Sequence, residues 1–274
     1  MLDANALSLS THKANRMPIW LGAILLFTLG FLILPLIVII LFSFNSSQSL
    51  SRLEGFSLRW YETAFGNPDV VASLGMSLGI AAGATALAVL IGTGLAWAFA
   101  RGHKKATTPV EGLTLTTLIT PELATAIGLL TLFAMVQIEL SWLTVLIGHT
   151  TFALVYVTVI MGNRIRTMDR ALEEAAYDLG ASGLDCFRFV ILPSILPAVL
   201  SAAALAFVLS FGDFVTSVFL TGSEISPLPV RIYGMLRFGL TPEINAIGSA
   251  LTLVTVLIGI LGVWLATRNN GKRQ

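Results

Sequence analysis

The sequence predicts an all-α membrane protein with six transmembrane helices, on the basis of its composition, its apolar segments and its charge distribution. Hydrophobic side chains make up 55% of the 274 residues, charged side chains only 11%, and the mean hydropathy is +0.86. A soluble domain has roughly a quarter charged residues, so this chain cannot cover a water-facing surface. The formal net charge of +1 argues against a nucleic-acid partner. A single cysteine, Cys186, excludes an intrachain disulfide and a cysteine-based metal cluster.

Six apolar segments are long enough to cross the membrane, because a hydrocarbon core about 30 Å thick takes about 20 helical residues. The third segment contains Glu122 and the fifth contains Asp213 as internal charges. The first exceeds the roughly 7–15 residues of a signal-peptide core, so it is expected to be a retained helix. The segments are residues 18–42, the gap from Asp69 to Arg101 (apolar from about Val70), about 113–136, the gap from Glu139 to Arg164, 193 to about 221, and 244–267.

The basic residues predict that both termini face the cytoplasm. With six spans, the termini and the loops after spans two and four lie on one side of the membrane. Residues 1–17 and 268–274 are then cytoplasmic tails, and residues 18–69 form the first span and a periplasmic loop. The positive-inside bias is clear: the cytoplasmic side has Lys13, Arg16, Arg101, Lys104, Lys105, Arg164, Arg166, Arg170, Arg188, Arg268, Lys272 and Arg273, and the periplasmic side has only Arg52, Arg59, Arg231 and Arg237.

The longest and most charged of the predicted cytoplasmic loops, residues 163–192, contains a short amphipathic helix. Asp169 is predicted to cap its start and Gly180 to end it in a left-handed conformation. A second short piece, residues 184–192, leads to Pro193, which is expected to start span five. The first helix has one apolar stripe at i, i+3, i+4 and i+7, formed by Leu172, Ala175, Ala176 and Leu179.

Two interpretations of this amphipathic helix are open. It lies flat on lipid or on its own bundle, or it is presented to a groove on a partner protein. Two adjacent alanines on the stripe favour close approach to a protein backbone, whereas membrane-surface helices prefer bulky Trp, Phe and Leu with Lys and Arg opposite. The composition therefore favours a protein partner.

The same loop resembles the EAA loop of ABC importer permeases, whose pattern is EAA-xxx-G-x9-I-x-L-P. Here the chain reads Glu174-Ala-Ala-xxx-Gly180, nine residues, then Val190-Ile-Leu-Pro193, with Val190 in place of the usual Ile. The resemblance implies a type I ABC importer permease fold in which this loop is a coupling helix that docks on a cytoplasmic ATPase subunit. The implied coupling residues are Glu174, Ala175, Ala176, Gly180 and Pro193.

Further segments are similar to the spermidine/putrescine permeases, and together they extend over nearly the whole chain. This resemblance implies that residues 70–267 form the five-helix core of the family and that the first span is an added helix. The similar segments are residues 42–47, Trp60-Tyr61, Pro121-Glu122, 171–182, 228–233 and 241–246.

Glu122 and Asp213 are predicted to lie on the substrate pathway. A carboxylate inside the bilayer costs at least about 2–4 kcal/mol, so such residues usually face a bundle interior or a water-filled path. Helical counting puts Glu122 near mid-depth and Asp213 nearer the periplasm. With no Lys or Arg inside any span, two acidic residues suit a cationic passenger. In the alternative interpretation, each carboxyl is protonated or hydrogen-bonded to neighbours such as Thr120, Thr125, Ser210 or Thr216.

The resemblance supports the pathway interpretation with one departure. Polyamine permeases have a Pro-acidic step in span three and an acidic pair in span five, but here the second reads Gly212-Asp213, with one acid missing. The passenger is expected to be a small cation such as putrescine or spermidine, or else an amine-containing phosphonate, an opine or an amino-acid-like solute. Trp60 matches a step that the family places near the substrate or the binding protein; alternatively it is an interfacial aromatic residue.

The sequence contains no recognisable catalytic motif. The three histidines form no H-E-x-x-H and no G-x-S-x-G is present, which argues against a membrane-embedded enzyme. His103, together with Arg101, Lys104 and Lys105, is expected to form a positive-inside anchor rather than a ligand site, and His149 is expected to be a hydrogen-bonded core residue. An ion-coupled carrier or channel is the less favoured alternative, because the docking loop and the lack of internal repeats argue against it.

The expected assembly divides the work between subunits. The chain lacks a G-x-x-x-x-G-K-[ST] phosphate loop, so ATP is expected on a separate subunit, and no metal or cofactor is expected in this chain. The implied partners are a cytoplasmic ATP-binding subunit dimer, a second permease subunit and a periplasmic substrate-binding protein. The binding protein would deliver substrate to the outer loops, residues 43–69 and 222–243. The complex is placed in a bacterial inner membrane.

Overall fold

The computed structural model describes residues 19–49, 52–223 and 226–270. The regular secondary structure of these residues is helical, with loops between the helices and an isolated antiparallel bridge between Asn45 and Phe56. The expectations for the tail at 1–17, the start of the first span at 18, and the end of the second tail at 271–274 lie outside the described residues. The helices are α1 (Ile19–Ser43), α2 (Arg59–Gly66), α3 (Pro68–Arg101), α4 (Lys104–Ile119), α5 (Glu122–Met135), α6 (Trp142–Arg166), α7 (Ala171–Asp178), α8 (Gly183–Cys186), α9 (Leu192–Phe211), α10 (Val215–Leu220), α11 (Leu228–Arg237) and α12 (Pro242–Asn270).

Five of the six predicted spans are long apolar helices: α1, α3, α6, the segment from α8 to α9, and α12. The prediction of a continuous third span over residues 113–136 is wrong. It is a pair of helices, α4 and α5, bent by 115° at Thr120 and Pro121. Proline has no N–H to donate and restricts the preceding residue to extended backbone, and Thr120 has ψ 128°. Counting the bent pair as one span gives six.

The fifth predicted span also differs from a simple helix. A π-helical turn, Phe187–Ile191, joins α8 to α9, so the helix begins ten residues before Pro193 rather than at it. Pro193 supplies no N–H, which removes one bond of the regular pattern just after the turn. At the other end α9 stops at Phe211, and the chain reaches α10 through Gly212, Asp213 and Phe214. The continuous helix expected from 193 to about 221 is therefore interrupted at Asp213.

The centre of the bundle is the contact between α3 and α6, with α9 packed on both. Small side chains allow this close approach, as expected where lipid removes the hydrophobic drive for helices to associate. α12 packs on α9, and α1 packs on α12 with only Ser43 buried, so α1 faces outward along most of its length. The central buried residues include Ala88 and Ala96 of α3, Ala153 and Val157 of α6, and Ala202 and Ala206 of α9.

Candidate functional site

The predicted coupling helix is α7, which ends at Gly180 as the sequence predicts. Gly180 has φ +84°, its N–H donates to Tyr177 O at 2.9 Å, and the Ala181 N–H donates to Ala176 O at 3.0 Å. These two bonds form a Schellman motif, which requires a left-handed residue that glycine adopts without a Cβ penalty. The predicted start is off by one residue: the cap position is Arg170, and the Asp169 carboxylate accepts from the Ala171 N–H at 2.9 Å.

The apolar stripe of α7 turns away from the rest of the chain. No residue of this helix is buried; Leu172 is 49% exposed, Leu179 is 90% exposed, and Ala175 is also exposed. We call these three residues the docking face. Only Ala176 of the predicted stripe packs against the core, and Glu174 is exposed beside the docking face. An exposed apolar face on a short helix, uncovered by the described residues, is typical of a helix that docks on another protein.

Two side chains attach α7 to the bundle. Arg101 Nη2 at the end of α3 donates to Glu173 Oε1 at 2.6 Å, with side chains 15% and 18% exposed. Tyr177 interacts with the Cys186 thiol, which raises the pKa of Tyr177. The basic cluster at residues 101–105 predicts a membrane anchor for Arg101 and does not reveal its pairing with Glu173, which lies 72 positions later in the chain. No local pattern connects these two residues, because only the fold brings them together.

The two ends of the loop that carries α7 are joined. Arg164 on α6 donates through Nε and Nη2 to the Ser194 carbonyl at 3.1 and 2.7 Å. Ser194 follows Pro193, the last of the predicted coupling residues. The end of α6 and the start of α9 are thereby held together by a charge-assisted pair of hydrogen bonds.

The structure brings Glu122 and Asp213 together. Glu122 is the first residue of α5, directly after the break at Pro121, and Asp213 lies in the break between α9 and α10, which packs on α5. The packing of α10 on α5 brings the two carboxyl groups close enough to interact electrostatically. Asp213 is buried and Glu122 half-buried. The mid-depth position expected for Glu122 was counted along a continuous helix, whereas the chain bends directly before this residue; its depth in the membrane stays a prediction.

The two oxygens of Asp213 have different surroundings. Oδ1 accepts from the Thr216 N–H at 2.8 Å, in the first turn of α10. Oδ2 accepts no hydrogen bond from the described residues and lies 3.6 Å from His149 Nε2. A buried carboxylate oxygen without a donor is costly, and a ligand that donates to it removes that cost.

His149 lies beside Asp213, a proximity that its position in the sequence does not reveal. It is buried and hydrogen-bonded, as predicted, with Nδ1 2.7 Å from Ser210 Oγ and Nε2 3.0 Å from Ser217 Oγ. These two serines flank the break that contains Asp213, so one imidazole bridges both sides of it. Ser210 was considered as a partner for the carboxyl group but is engaged by the imidazole instead.

α6 approaches α10 closely around this site. A Cβ added at Gly148 would lie 2.5 Å from Leu220 Cδ1 and 2.6 Å from Thr216 Cγ2. One turn earlier, Thr144 Oγ1 donates to the Leu220 carbonyl at 2.7 Å. His149 lies about 10 Å along α6 from its first residue, counting 1.5 Å per residue. The pair Glu122 and Asp213, which we call the acidic pair, therefore lies toward the end of the bundle away from α7.

Trp60 is apart from the acidic pair. Its indole is buried on α2, Nε1 donates to the Asn45 carbonyl at 2.7 Å, and the Arg59 guanidinium lies 4.3 Å from the ring centroid. These contacts fix the loop after α1, at the same end of the bundle as the start of α3. A role of Trp60 on the substrate pathway stays a prediction.

The exposed helix α7 at one end of the bundle and the acidic pair inside the bundle are together typical of a transport subunit. The sequence profile of the family described as binding-protein-dependent transport system inner membrane component matches residues 88–273. The chain belongs to this family: it is a multi-pass, non-catalytic inner-membrane permease of an ABC transporter, in which ATP binding belongs to the ATPase partner. The family predicted from the EAA-like loop is confirmed.

Two relatives match over most of their length. The putrescine transport system permease protein PotI of Escherichia coli strain K12 is 33% identical over 270 residues, covering 94% of this chain and 96% of that protein. The spermidine/putrescine transport system permease protein PotC of Haemophilus influenzae is 35% identical over 241 residues, covering 88% of this chain and 94% of that protein.

Solved structures agree on the fold. A bacterial ABC transporter involved in the import of the acidic polysaccharide alginate aligns with a TM-score of 0.64 at 15% identity, over 93% of this chain and 95% of that one. The MetNI methionine ABC transporter aligns with a TM-score of 0.59 at 17% identity, over 72% and 94%. At such identities the likeness shows the fold alone, and it confirms the predicted ABC importer permease architecture.

Proposed function

We propose that this permease carries a small cationic amine, of the putrescine or spermidine class, across the inner membrane in an ATP-driven importer. The printed names of the relatives support the substrate class, since PotI and PotC are named for putrescine and for spermidine/putrescine transport. The acidic pair supports the same substrate class on physical grounds. The acidic pair is also the observation on which the proposal depends.

The acidic pair fits a cation because neither carboxylate is neutralised by a lysine or arginine of the described residues. Two adjacent carboxylates repel each other, and a positive group between them removes that repulsion. Asp213 Oδ2 is available to accept from an ammonium N–H. Charge-assisted bonds of this kind contribute about 1.5–3 kcal/mol each.

Gly212 stands where the polyamine permeases that the chain resembles have one acid of the span-five pair. Those permeases also have an acid in the Pro-acidic step of span three, so here Glu122 and Asp213 are the two acids that remain. The site thus keeps two negative groups. This supports a passenger with more than one positive group.

The docking face of α7 supports the coupling role proposed for Glu174, Ala175, Ala176, Gly180 and Pro193. A flat face with one small side chain at its centre admits close backbone approach by an ATPase subunit. The Schellman motif at Gly180 ends the helix so that only two turns protrude. ATP-driven movement of the partner would then bias the permease between inward- and outward-facing packings.

The remaining parts of the proposal concern orientation and assembly. Both termini and α7 lie on the cytoplasmic side, consistent with the basic residues counted in the sequence. A second permease subunit completes the pathway. A periplasmic binding protein meets the outer loops, residues 43–69 and 222–243, where Trp60 and α2 support the surface.

Uptake by the purified complex tests this function. The complete complex is reconstituted in proteoliposomes with its ATPase and binding protein, and accumulation of radiolabelled putrescine is followed with and without ATP. We expect accumulation only with both ATP and the binding protein. Accumulation of an opine, phosphonate or amino acid instead of any polyamine would support the alternative solute. Accumulation by the permease without an ATPase would support the carrier interpretation and contradict the proposal.

A further inference from the structure

A polar stripe runs along α4 on the side that faces the bundle. Five polar residues spaced three or four positions apart are half-buried: Thr107, Glu111, Thr114, Thr117 and Thr120. The opposite face carries exposed apolar side chains, including Leu113, which is 72% exposed, and Ile119, which is 84% exposed. A membrane helix with its polar face inward is typical of a helix beside a water-filled path.

The threonines of the polar stripe retain only acceptor capacity. Each hydroxyl donates to the carbonyl four residues earlier, at 3.3 Å from Thr107, 2.8 Å from Thr114, 3.3 Å from Thr117 and 2.9 Å from Thr120. A hydroxyl has one proton and two lone pairs. Its proton is used in the helix, so the oxygen remains available to a ligand that donates. The stripe therefore favours a donor such as an ammonium group over an acceptor.

A cavity of about 170 Å³ opens on the polar stripe between α3, α4 and α6. About 10–15 Å³ is enough for one water molecule, so this space takes a hydrated ammonium head with part of its chain. Its polar lining is Glu111, Thr114, Thr158, Asn163 and Arg166. Thr158 likewise donates to its own helix, at 2.7 Å from the Leu154 carbonyl.

The one carboxylate of this cavity is paired with a cation. Arg166, the last residue of α6, forms an ion pair with Glu111 inside the cavity. The Arg166 side chain is 53% exposed, so it can leave the carboxylate for water at little cost. An incoming ammonium group can take its place on Glu111.

We propose that this cavity is a second amine-binding subsite, with Glu111 as its carboxylate and Thr114 and Thr158 as acceptors, and that the amine displaces Arg166 from Glu111. The inference rests on the proposed function and deepens it. Glu111 lies about 14 Å along α4 from the break at Thr120, and Glu122 of the acidic pair follows directly after that break. The amine would therefore bind at two acidic sites in succession, first at the acidic pair and then at Glu111 on the α7 side. Two weaker sites allow faster release than one tight site.

Thiol labelling tests the subsite without depending on transport. Thr114→Cys is introduced into the complete complex in nanodiscs of phosphatidylcholine and phosphatidylglycerol, which contain no primary ammonium group. N-ethylmaleimide labelling of this chain is followed by peptide mass spectrometry, with the unsubstituted complex as the blank because the native Cys186 is buried. We expect saturating putrescine to slow labelling at least about fivefold, and the neutral 1,4-butanediol to leave it unchanged.

Two further variants assign the effect to Glu111. Adding Glu111→Gln to Thr114→Cys should abolish the protection by putrescine. Adding Asp69→Asn, which breaks the exposed ion pair with Arg231 at 2.8 Å outside the cavity, should leave the protection intact. Thr158→Cys on α6 provides a second reporter in the same cavity if Thr114→Cys does not assemble.

The outcomes separate the subsite from the proposed function. A complex that imports putrescine but shows no protection at either cysteine overturns the subsite alone, as does protection that persists with Glu111→Gln. A complex that imports no polyamine overturns the proposed function, and the subsite with it. Protection lost with Glu111→Gln and kept with Asp69→Asn supports the subsite.

Discussion

α7 and the acidic pair lie toward different ends of the bundle and are built in different ways. α7 is specified by consecutive residues from Asp169 to Gly180, and its docking face is exposed. The acidic pair is assembled from α5 and from the break between α9 and α10, with α6 supplying His149. The difference shows that an exposed helix face can be encoded locally, whereas a pair of carboxyl groups inside the bundle requires several helices, two of them broken.

This comparison predicts that changes at the acidic pair depend on the charge of the solute, while changes on α7 do not. The largest effect is expected for Asp213→Asn. Loss of one charged hydrogen-bond partner, about 1.5–3 kcal/mol, lowers kcat/KM for putrescine roughly 10- to 150-fold. The loss should be smaller for 4-aminobutanol, with one charge, and absent for 1,4-butanediol, all measured as uptake into proteoliposomes. Equal losses for the three solutes would indicate a packing role for Asp213.

Gly180→Val should produce the next largest effect. A left-handed backbone costs a residue with a Cβ about 1–2 kcal/mol, and more for a β-branched one. The end of α7 would shift, so uptake should fall about tenfold for every solute alike while ATP hydrolysis continues. Uptake and phosphate release are measured on the same vesicles.

Gly183→Val is the matched control for Gly180→Val, because a Cβ at Gly183 meets no atom within 4 Å and the residue has no positive φ. It should retain uptake near the unsubstituted level. If Gly180→Val inserts and transports normally, the coupling role of this loop is refuted.

The ion pair between Arg101 and Glu173 is expected to have a moderate effect. Either Arg101→Glu or Glu173→Arg removes the attachment of α7 to α3 and should lower uptake per ATP hydrolysed about three- to tenfold, within the usual range of coupling between paired residues. The double exchange should recover part of the lost uptake, because the ion pair is restored with its two charges exchanged. The same exchange at Asp69 and Arg231, an exposed pair, should change little. A double exchange no better than either single variant would contradict the attachment.

Ser217→Ala should have the smallest effect. It removes the hydrogen bonds of Ser217 to His149 and to the Asp213 carbonyl, at 3.0 and 2.7 Å. Neutral bonds of this kind contribute about 0.5–1.5 kcal/mol, so KM for putrescine should rise about two- to fivefold with kcat nearly unchanged. Ser201→Ala, a serine that bonds only to its own helix at 2.8 Å, is the control. A lower amount of assembled complex with unchanged KM would assign Ser217 to stability alone.

The sequence predicted the features that depend on neighbouring residues. Gly180 was identified as a helix end because a C-terminal cap is a property of one short segment. The apolar spans follow from composition alone. The bend at Pro121 was not predicted, because an apolar run containing one proline fits both a kinked span and a broken one, and the neighbours of α4 and α5 decide between them. The facing of Glu122 and Asp213 depends on that bend.

Contacts between distant residues were not predictable in the same way. His149 has no motif around it, and its two serine partners lie 61 and 68 positions away. The neighbouring residues Lys104 and Lys105 predict that Arg101 belongs to a membrane anchor. Many basic residues that form no ion pair occur in the same kind of basic cluster. The carboxylate partner of Arg101 could not be chosen from the acidic residues of the loop without knowing which of them the fold places beside the end of α3.

The bond from Arg164 to the Ser194 carbonyl has a mechanical consequence. It closes the segment that contains α7 into a ring whose two stems, α6 and α9, are fastened at the base. This charge-assisted pair of hydrogen bonds resists separation of the two stems, so we expect a force on α7 to turn them together. The Asp213 break at the far end of α9 and His149 on α6 are then expected to move as one unit.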